Sequence, residues 1–344
     1  MLILKGYIID RKTKIHNPIS SLETKHTTLQ MQSKLTIGIM SKAPKKFKNS
    51  SKETFITLSY LKWIESFGAQ IVPIPYDFPI SQIEEILPQL NGLLIQGGRC
   101  RIRWPYTEER IQKIVEEFGH LPIEKVMQIM INKLLQKEGG KIPIFLICWG
   151  MELFPLIRTG GKREDVLQKS SGCRHVFMQT GKIIRESQLY RNFTEEELGI
   201  LEKEKVTYHN HANNITPAFF KENEVLDQNY KITSTSIDEA GMEFVSSYES
   251  LEYPLIAIQH HPEKIGTSIK NIDDNCLSVN RKFGQTFIDL CKQNDNVLKD
   301  EKWIFHSAEE ITGIEEHPYK ARIAELEGVK YLIISAKEKE TPNL

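Results

Sequence analysis

KIPIFLICWG (141–150), followed by MELFPLIRTG (151–160), decides how this chain folds. Residues 142–148 form a short apolar run of the kind that fills a buried, parallel strand. The run stops at Cys148, two residues before Gly150, and apolar residues then recur at helical spacing through Pro155 to Gly160. A strand, a nucleophile and a helix in immediate succession make a nucleophile elbow, a sharp turn that exposes the central side chain. The amino end of the helix carries partial positive charge, which favours a thiolate over a thiol. The competing reading is a small buried residue, since free cysteine is commonly buried.

Outward from this point the same alternation repeats. LTIGIM (35–40) reads as a strand, TFITLSYLKWIESFG (54–68) as a helix closed by Gly68, and AQIVPIPY (69–76) as the next strand. SQIEEILPQL (81–90) reads as a helix with Ser81 as N-cap and Glu84 completing a capping box. GLLIQGG (92–98) is an apolar strand ending on two glycines, and residues 106–137 carry one or two helices. AGMEFVSSY (240–248) and YPLIAIQHH (253–261) are further strands, QTFIDLC (285–291) ends a helix, and YLIIS (331–335) is a late strand. Strand–helix–strand alternation predicts an α/β class: three layers, α/β/α, around a central, mostly parallel sheet.

Composition narrows the function classes. Lys plus Arg and Asp plus Glu stand at 45 each, so no net basic field favours nucleic acid. No apolar run approaches the roughly 20 residues that span a bilayer. The amino-terminal MLILKGYIID is interrupted by Lys5 and Asp10 before a signal-peptide core of about 7–15 residues forms. Read alone, this end suggests a cytoplasmic protein. Five widely spaced cysteines, Cys100, Cys148, Cys173, Cys276 and Cys291, with no CxxC pair, argue against a disulfide framework and against structural zinc. The Lys-rich stretch 42–52 reads as solvated surface. Residues 1–34 read as an extension, 35–296 as the catalytic domain, and 297–344 as a segment packing back on the core.

Two further strand ends carry chemistry. His260–His261–Pro262–Glu263 follows LIAIQ, and a histidine there can act as a general base toward a cysteine while a carboxylate orients its ring. Gln96–Gly97–Gly98–Arg99 follows another strand, where glycines let backbone N–H groups approach a substrate carbonyl. A pair of histidines at a strand end is equally a solvated terminus, and a lone GG is usually a turn. Taken together, Cys148, HHPE and QGGR all fall at carboxyl ends of strands, which is where parallel sheets place their sites.

NGLLIQGG (91–98), PIFLICWGMEL (143–153), VTYHNHANNITPAFF (206–220) and FVSSYESLEYPLIAIQHHPEK (244–264) resemble the gamma-glutamyl hydrolase family within the class I glutamine amidotransferase-like fold. The resemblance runs from about residue 35 to residue 335. It implies Cys148 as nucleophile, His261 as base and Glu263 as its partner. It places the amides of Gly98, Arg99 and Trp149 at an oxyanion hole and His209 near the bound glutamate. Gly97, Arg101 and Arg103 are further candidates on the substrate side, the arginines for carboxylates because a guanidinium pairs with them bidentately. The resemblance implies hydrolysis of gamma-linked glutamate amides of folylpoly-gamma-glutamates through a thioester, with no metal or organic cofactor. It also implies a homodimer located in lysosome or vacuole or secreted. Leu146 stands where the family usually has Gly or Ala, Gln96 where Pro is usual, Trp149 where a smaller apolar residue is usual, and His260 where Trp is common. Two alternatives stay open: a hydrolase of another gamma-glutamyl amide, such as a polyamine conjugate or glutamine, and a catalytically impaired member serving as a binding or structural protein.

Overall fold

The computed structural model describes residues 34–43, 53–98, 102–136, 141–305, 319–326 and 329–336. The expected extension over residues 1–34 lies outside them except for Lys34, as do most of the Lys-rich stretch, Arg99, Cys100 and Arg101.

The strands longer than two residues are β1 (Thr36–Met40), β2 (Glu53–Thr57), β3 (Gln70–Ile74), β4 (Gly92–Ile95), β5 (Ile144–Ile147), β6 (Arg174–Met178), β7 (Thr207–Asn210), β8 (Tyr230–Ile237), β9 (Glu243–Ser250), β10 (Leu255–Ile258), β11 (Tyr319–Leu326) and β12 (Val329–Ala336). Seven of them form the central sheet in the order β8-β9-β10-β5-β4-β1-β3. The five from β10 to β3 are parallel, and β9 and β8 extend the sheet antiparallel. Every residue of β1, β4, β5 and β10 is buried, which accounts for their unbroken apolar sequence.

The principal helices are α1 (Leu58–Glu65), α2 (Ile80–Ile86), α3 (Glu108–Phe118), α4 (Ile123–Leu134), α5 (Trp149–Thr159) and, after several short ones, α6 (Asp274–Cys291). Phe145 of β5 meets Trp63 of α1 and Phe287 of α6 on one face of the sheet, with ring centroids 6.0 and 5.3 Å apart. On the other face α5 lies so close to β4 that a Cβ at Gly150 would stand 2.8 Å from Ile95 Cγ2. The helix α4 packs there against α2 and α5. This is the expected α/β/α layering.

Two local expectations are corrected. Residues 54–57 are not the start of a helix: with Glu53 they form β2, which pairs antiparallel with β12 in a separate three-stranded sheet, Phe55 opposite Ile333. The alternation of ETFIT fits a strand with one face covered, and the covering hairpin is far away in sequence. Ser81 is not an N-cap either. The helix α2 starts at Ile80 behind Pro79, without a side-chain cap, because the fixed φ of proline already ends the extended segment there.

Pro155 sits inside α5 and removes the N–H that would have reached the Met151 carbonyl. The Tyr248 hydroxyl of β9 donates to that carbonyl at 3.0 Å, so the helix continues with its acceptor satisfied.

Candidate active site

Four neighbouring parallel strands end at one edge of the sheet and deliver the polar groups in order: β1 leads to Lys42, β4 to Gln96–Gly97–Gly98, β5 to Cys148, and β10 to His260 and His261. Cys148 has φ 50 and ψ −102, a conformation that non-glycine residues avoid, and it stands directly before α5. The strain is held by local bonds. Its N–H donates to Ile258 O at 2.8 Å, and its carbonyl accepts from Glu152 N–H at 2.8 Å. Leu146, a bulkier residue than the resemblance leads one to expect, lies in register between Ala257 of β10 and Ile95 of β4. The elbow is therefore formed with leucine in place.

Gly97 is where the site closes. A Cβ added to it would lie 2.7 Å from His261 Cε1, 2.8 Å from the Tyr60 hydroxyl and 2.9 Å from Cys148 Cβ. Cys148 and His261 thus converge over a backbone that only glycine can supply. His261 Nδ1 lies 2.8 Å from Glu263 Oε1, both side chains being buried. The carboxylate accepts from Nδ1–H, which leaves Nε2 as the basic nitrogen. The Tyr60 hydroxyl accepts the Gly97 N–H at 2.8 Å and stands 3.4 Å from His261 Nδ1. Tyr60 had no signal in the sequence beyond its place in an apolar run.

Burial pushes the Cys148 thiol up to about 12, helped by the nearby Glu152 carboxylate; Lys42, the Gly98 N–H and Lys264 act in the opposite direction. Burial also lowers His261, against the upward pull of Glu263. The resting pair is a neutral thiol and a neutral imidazole. Glu152, one turn into α5, is buried and pushed up to about 7 by desolvation, against hydrogen bonds from Asn213 Nδ2 and Gln259 Nε2, each at 3.1 Å.

The remaining candidates are placed differently. Gly98 has φ 124, and its N–H acts on the Cys148 thiol in favour of the thiolate. Trp149 is buried as the first residue of α5. Both ring nitrogens of His209 are engaged inside the fold, Nε2 with Thr207 Oγ1 at 3.1 Å and Nδ1 with His211 Nε2 at 2.9 Å. Arg103 is exposed, and its backbone N–H donates to Glu124. Gln96, where the resemblance leads one to expect proline, donates to Met40 O and Phe55 O and accepts from Thr57 N–H, joining β1, β2 and β4. The reading of Lys42 as solvated surface is overturned, for it is 1 % exposed and lies against Gly98 and Trp149. Cys148, Cys173, Cys276 and Cys291 are free and buried. Among the described residues no cluster of three or more His, Cys, Asp or Glu side chains is arranged to hold a metal ion.

The chain is 26% identical over 278 residues to gamma-glutamyl hydrolase B of Dictyostelium discoideum, covering 79% of this chain and 76% of that one. It is 29% identical to the gamma-glutamyl hydrolase of Mus musculus over 258 residues (72% and 75% of the two chains). It is 27% identical to that of Homo sapiens over 291 residues (82% and 85%). Residues 36–263, which run from the first strand of the sheet to the carboxylate beside His261, match the Peptidase C26 family, and the chain belongs to that family.

Proposed function

We propose that this protein is a cysteine-dependent gamma-glutamyl peptidase that cleaves gamma-linked glutamate amide bonds, with folylpoly-gamma-glutamates as its substrates. The observation that carries the reading is the convergence of a strained elbow cysteine and a carboxylate-backed histidine over Gly97.

The chemistry follows from the protonation states. His261 Nε2 takes the thiol proton as the Cys148 sulfur attacks the gamma-carbonyl carbon. Glu263 stabilises the imidazolium that forms. The negative charge moved onto the carbonyl oxygen is received by backbone N–H groups at Gly98, Arg99 and Trp149. Collapse of the tetrahedral species breaks the C–N bond, and His261 gives its proton to the leaving amine. Water attacks the thioester next, with its proton passing to His261 and then to the departing sulfur. Because burial holds the thiol neutral at rest, His261 acts as a general base during attack. Three relatives named gamma-glutamyl hydrolase support the bond type.

Incubation of the purified chain with pteroylglutamates of defined length, followed by mass spectrometry, tests the reading. Shortened pteroylglutamates and free glutamate species are expected from the wild type and absent from Cys148→Ala. Equal rates for the two proteins would overturn the mechanism. Cleavage confined to gamma-glutamyl amines or to glutamine would move the substrate away from folates.

A further inference from the structure

The strand β1 ends beside β4, and the second residue after it, Lys42, turns its side chain into the site. Its backbone is fixed by paired hydrogen bonds with Phe55, 2.9 Å in each direction. Its Nζ donates to Gly98 O at 3.2 Å and lies 4.2 Å from the centre of the Trp149 ring, within cation–π range. A Cβ at Gly98 would stand 3.6 Å from the same Nζ. Gly98 thus has its carbonyl tied to Lys42, and its N–H favours the thiolate of Cys148. A glycine at φ 124 has a soft backbone, and one bond on its carbonyl sets the direction of the adjoining peptide. Trp149, the residue after Cys148, opens the helix. One ammonium therefore touches the Gly98 carbonyl and the ring of Trp149, the residue that follows Cys148.

We infer that Lys42 is a positioning residue of the oxyanion hole, clamping the Gly98 carbonyl and the Trp149 ring so that both residues are held in place beside Cys148. The oxyanion is the one required by the mechanism above, and to that extent the inference rests on it; the clamp itself concerns only the surroundings of the sulfur. The charge adds to the geometry. Lys42 favours the thiolate form of Cys148, and in a dry site a fixed cation acts on developing negative charge more strongly than in water.

The test uses full-length protein carrying Lys42→Met, Lys42→Gln, Lys42→Arg and Trp149→Leu. Two quantities are measured: the rate of Cys148 alkylation by iodoacetamide at pH 8, followed on the Cys148 peptide, and kcat and KM for a gamma-glutamyl amide. Lys42→Met is expected to slow alkylation about tenfold, which corresponds to about one pKa unit. It is also expected to lower kcat by roughly 10²-fold with KM changed far less, the mark of a loss confined to the transition state. Lys42→Arg keeps the charge and restores most of the alkylation rate. Lys42→Gln keeps a donor for Gly98 O, restores part of kcat and leaves alkylation slow. Trp149→Leu combined with Lys42→Met costs less than the sum of the two, because they act through one clamp. Unchanged alkylation and unchanged kcat in Lys42→Met, even with a lower melting temperature, would make Lys42 a fold staple and overturn the inference. If Lys42→Met does not fold, Lys42→Gln against Lys42→Arg decides the same question. If the wild type cleaves no gamma-glutamyl amide, the proposed function fails by itself, and the alkylation rates still decide the clamp.

Discussion

His260 and His261 are consecutive residues with opposite surroundings. His261 has Glu263 on Nδ1, with Tyr60 beside it, and faces Cys148 across Gly97. His260 is equally buried, packs edge-on against Phe283 with ring centroids 4.6 Å apart, and has no hydrogen-bond partner among the described residues at either ring nitrogen. Consecutive residues leaving a strand point to opposite sides, so one histidine enters the site and the other enters the layer between sheet and helix. Burial lowers both. Of the two, only His261 has a carboxylate that supports the imidazolium, so only His261 is equipped to take up and return a proton.

The largest effect that would break this contrast is on turnover. His261→Ala is expected to lower kcat by at least about 10³-fold, whereas His260→Leu stays within a few-fold of wild type. Equal losses in steady-state assays would erase the distinction. Making His261 resemble His260 is the next step. Glu263→Gln leaves the ring without its anionic partner and is expected to cost on the order of 10²- to 10⁴-fold in kcat, with little change in melting temperature. A smaller effect is predicted for Tyr60→Phe, which removes the acceptor of the Gly97 N–H. A loss of roughly tenfold in kcat is expected, since one supporting hydrogen bond is worth about 0.5–1.5 kcal/mol.

The last prediction concerns stability. His260 is lowered to about 3 by burial first and then by His261 and His211. Its unfolded form takes up a proton below about pH 6.5, where the folded form does not. The stability tied to the neutral ring is therefore complete above that pH and is lost as pH falls toward the folded value. His260→Leu removes the penalty, so its advantage over wild type in urea unfolding should be on the order of 2 kcal/mol greater at pH 5 than at pH 7. An advantage independent of pH would mean that the ring is protonated, or bonded to water, in the folded state.

Legibility followed the range of the interactions. The elbow could be read because its parts are adjacent: an apolar run, Cys148, Gly150 and a helical pattern lie within twenty residues. HHPE could be read for the same reason. TFIT could not, since its partner strand β12 lies some 275 residues later in the chain. Lys42 was hidden among lysines, and its burial depends on Gly98 and Trp149, which meet it only when β1, β4 and β5 align. Tyr60 reads as one apolar residue among several in α1, and only packing brings its hydroxyl to Gly97.

By itself, the sequence determined the α/β class, the family, and which cysteine and histidine stand at strand ends, because periodicity and turn chemistry are local. Tertiary structure alone decided which neighbours reach them. A hydrogen bond to Gly97, a cation against Trp149 and the absence of a partner for His260 depend on distances across the sheet, and those are set by register and packing. Leu146 illustrates both levels. In the sequence it stands out as a bulky residue beside the elbow, and in the fold Ala257 lies next to it and the turn at Cys148 keeps its shape.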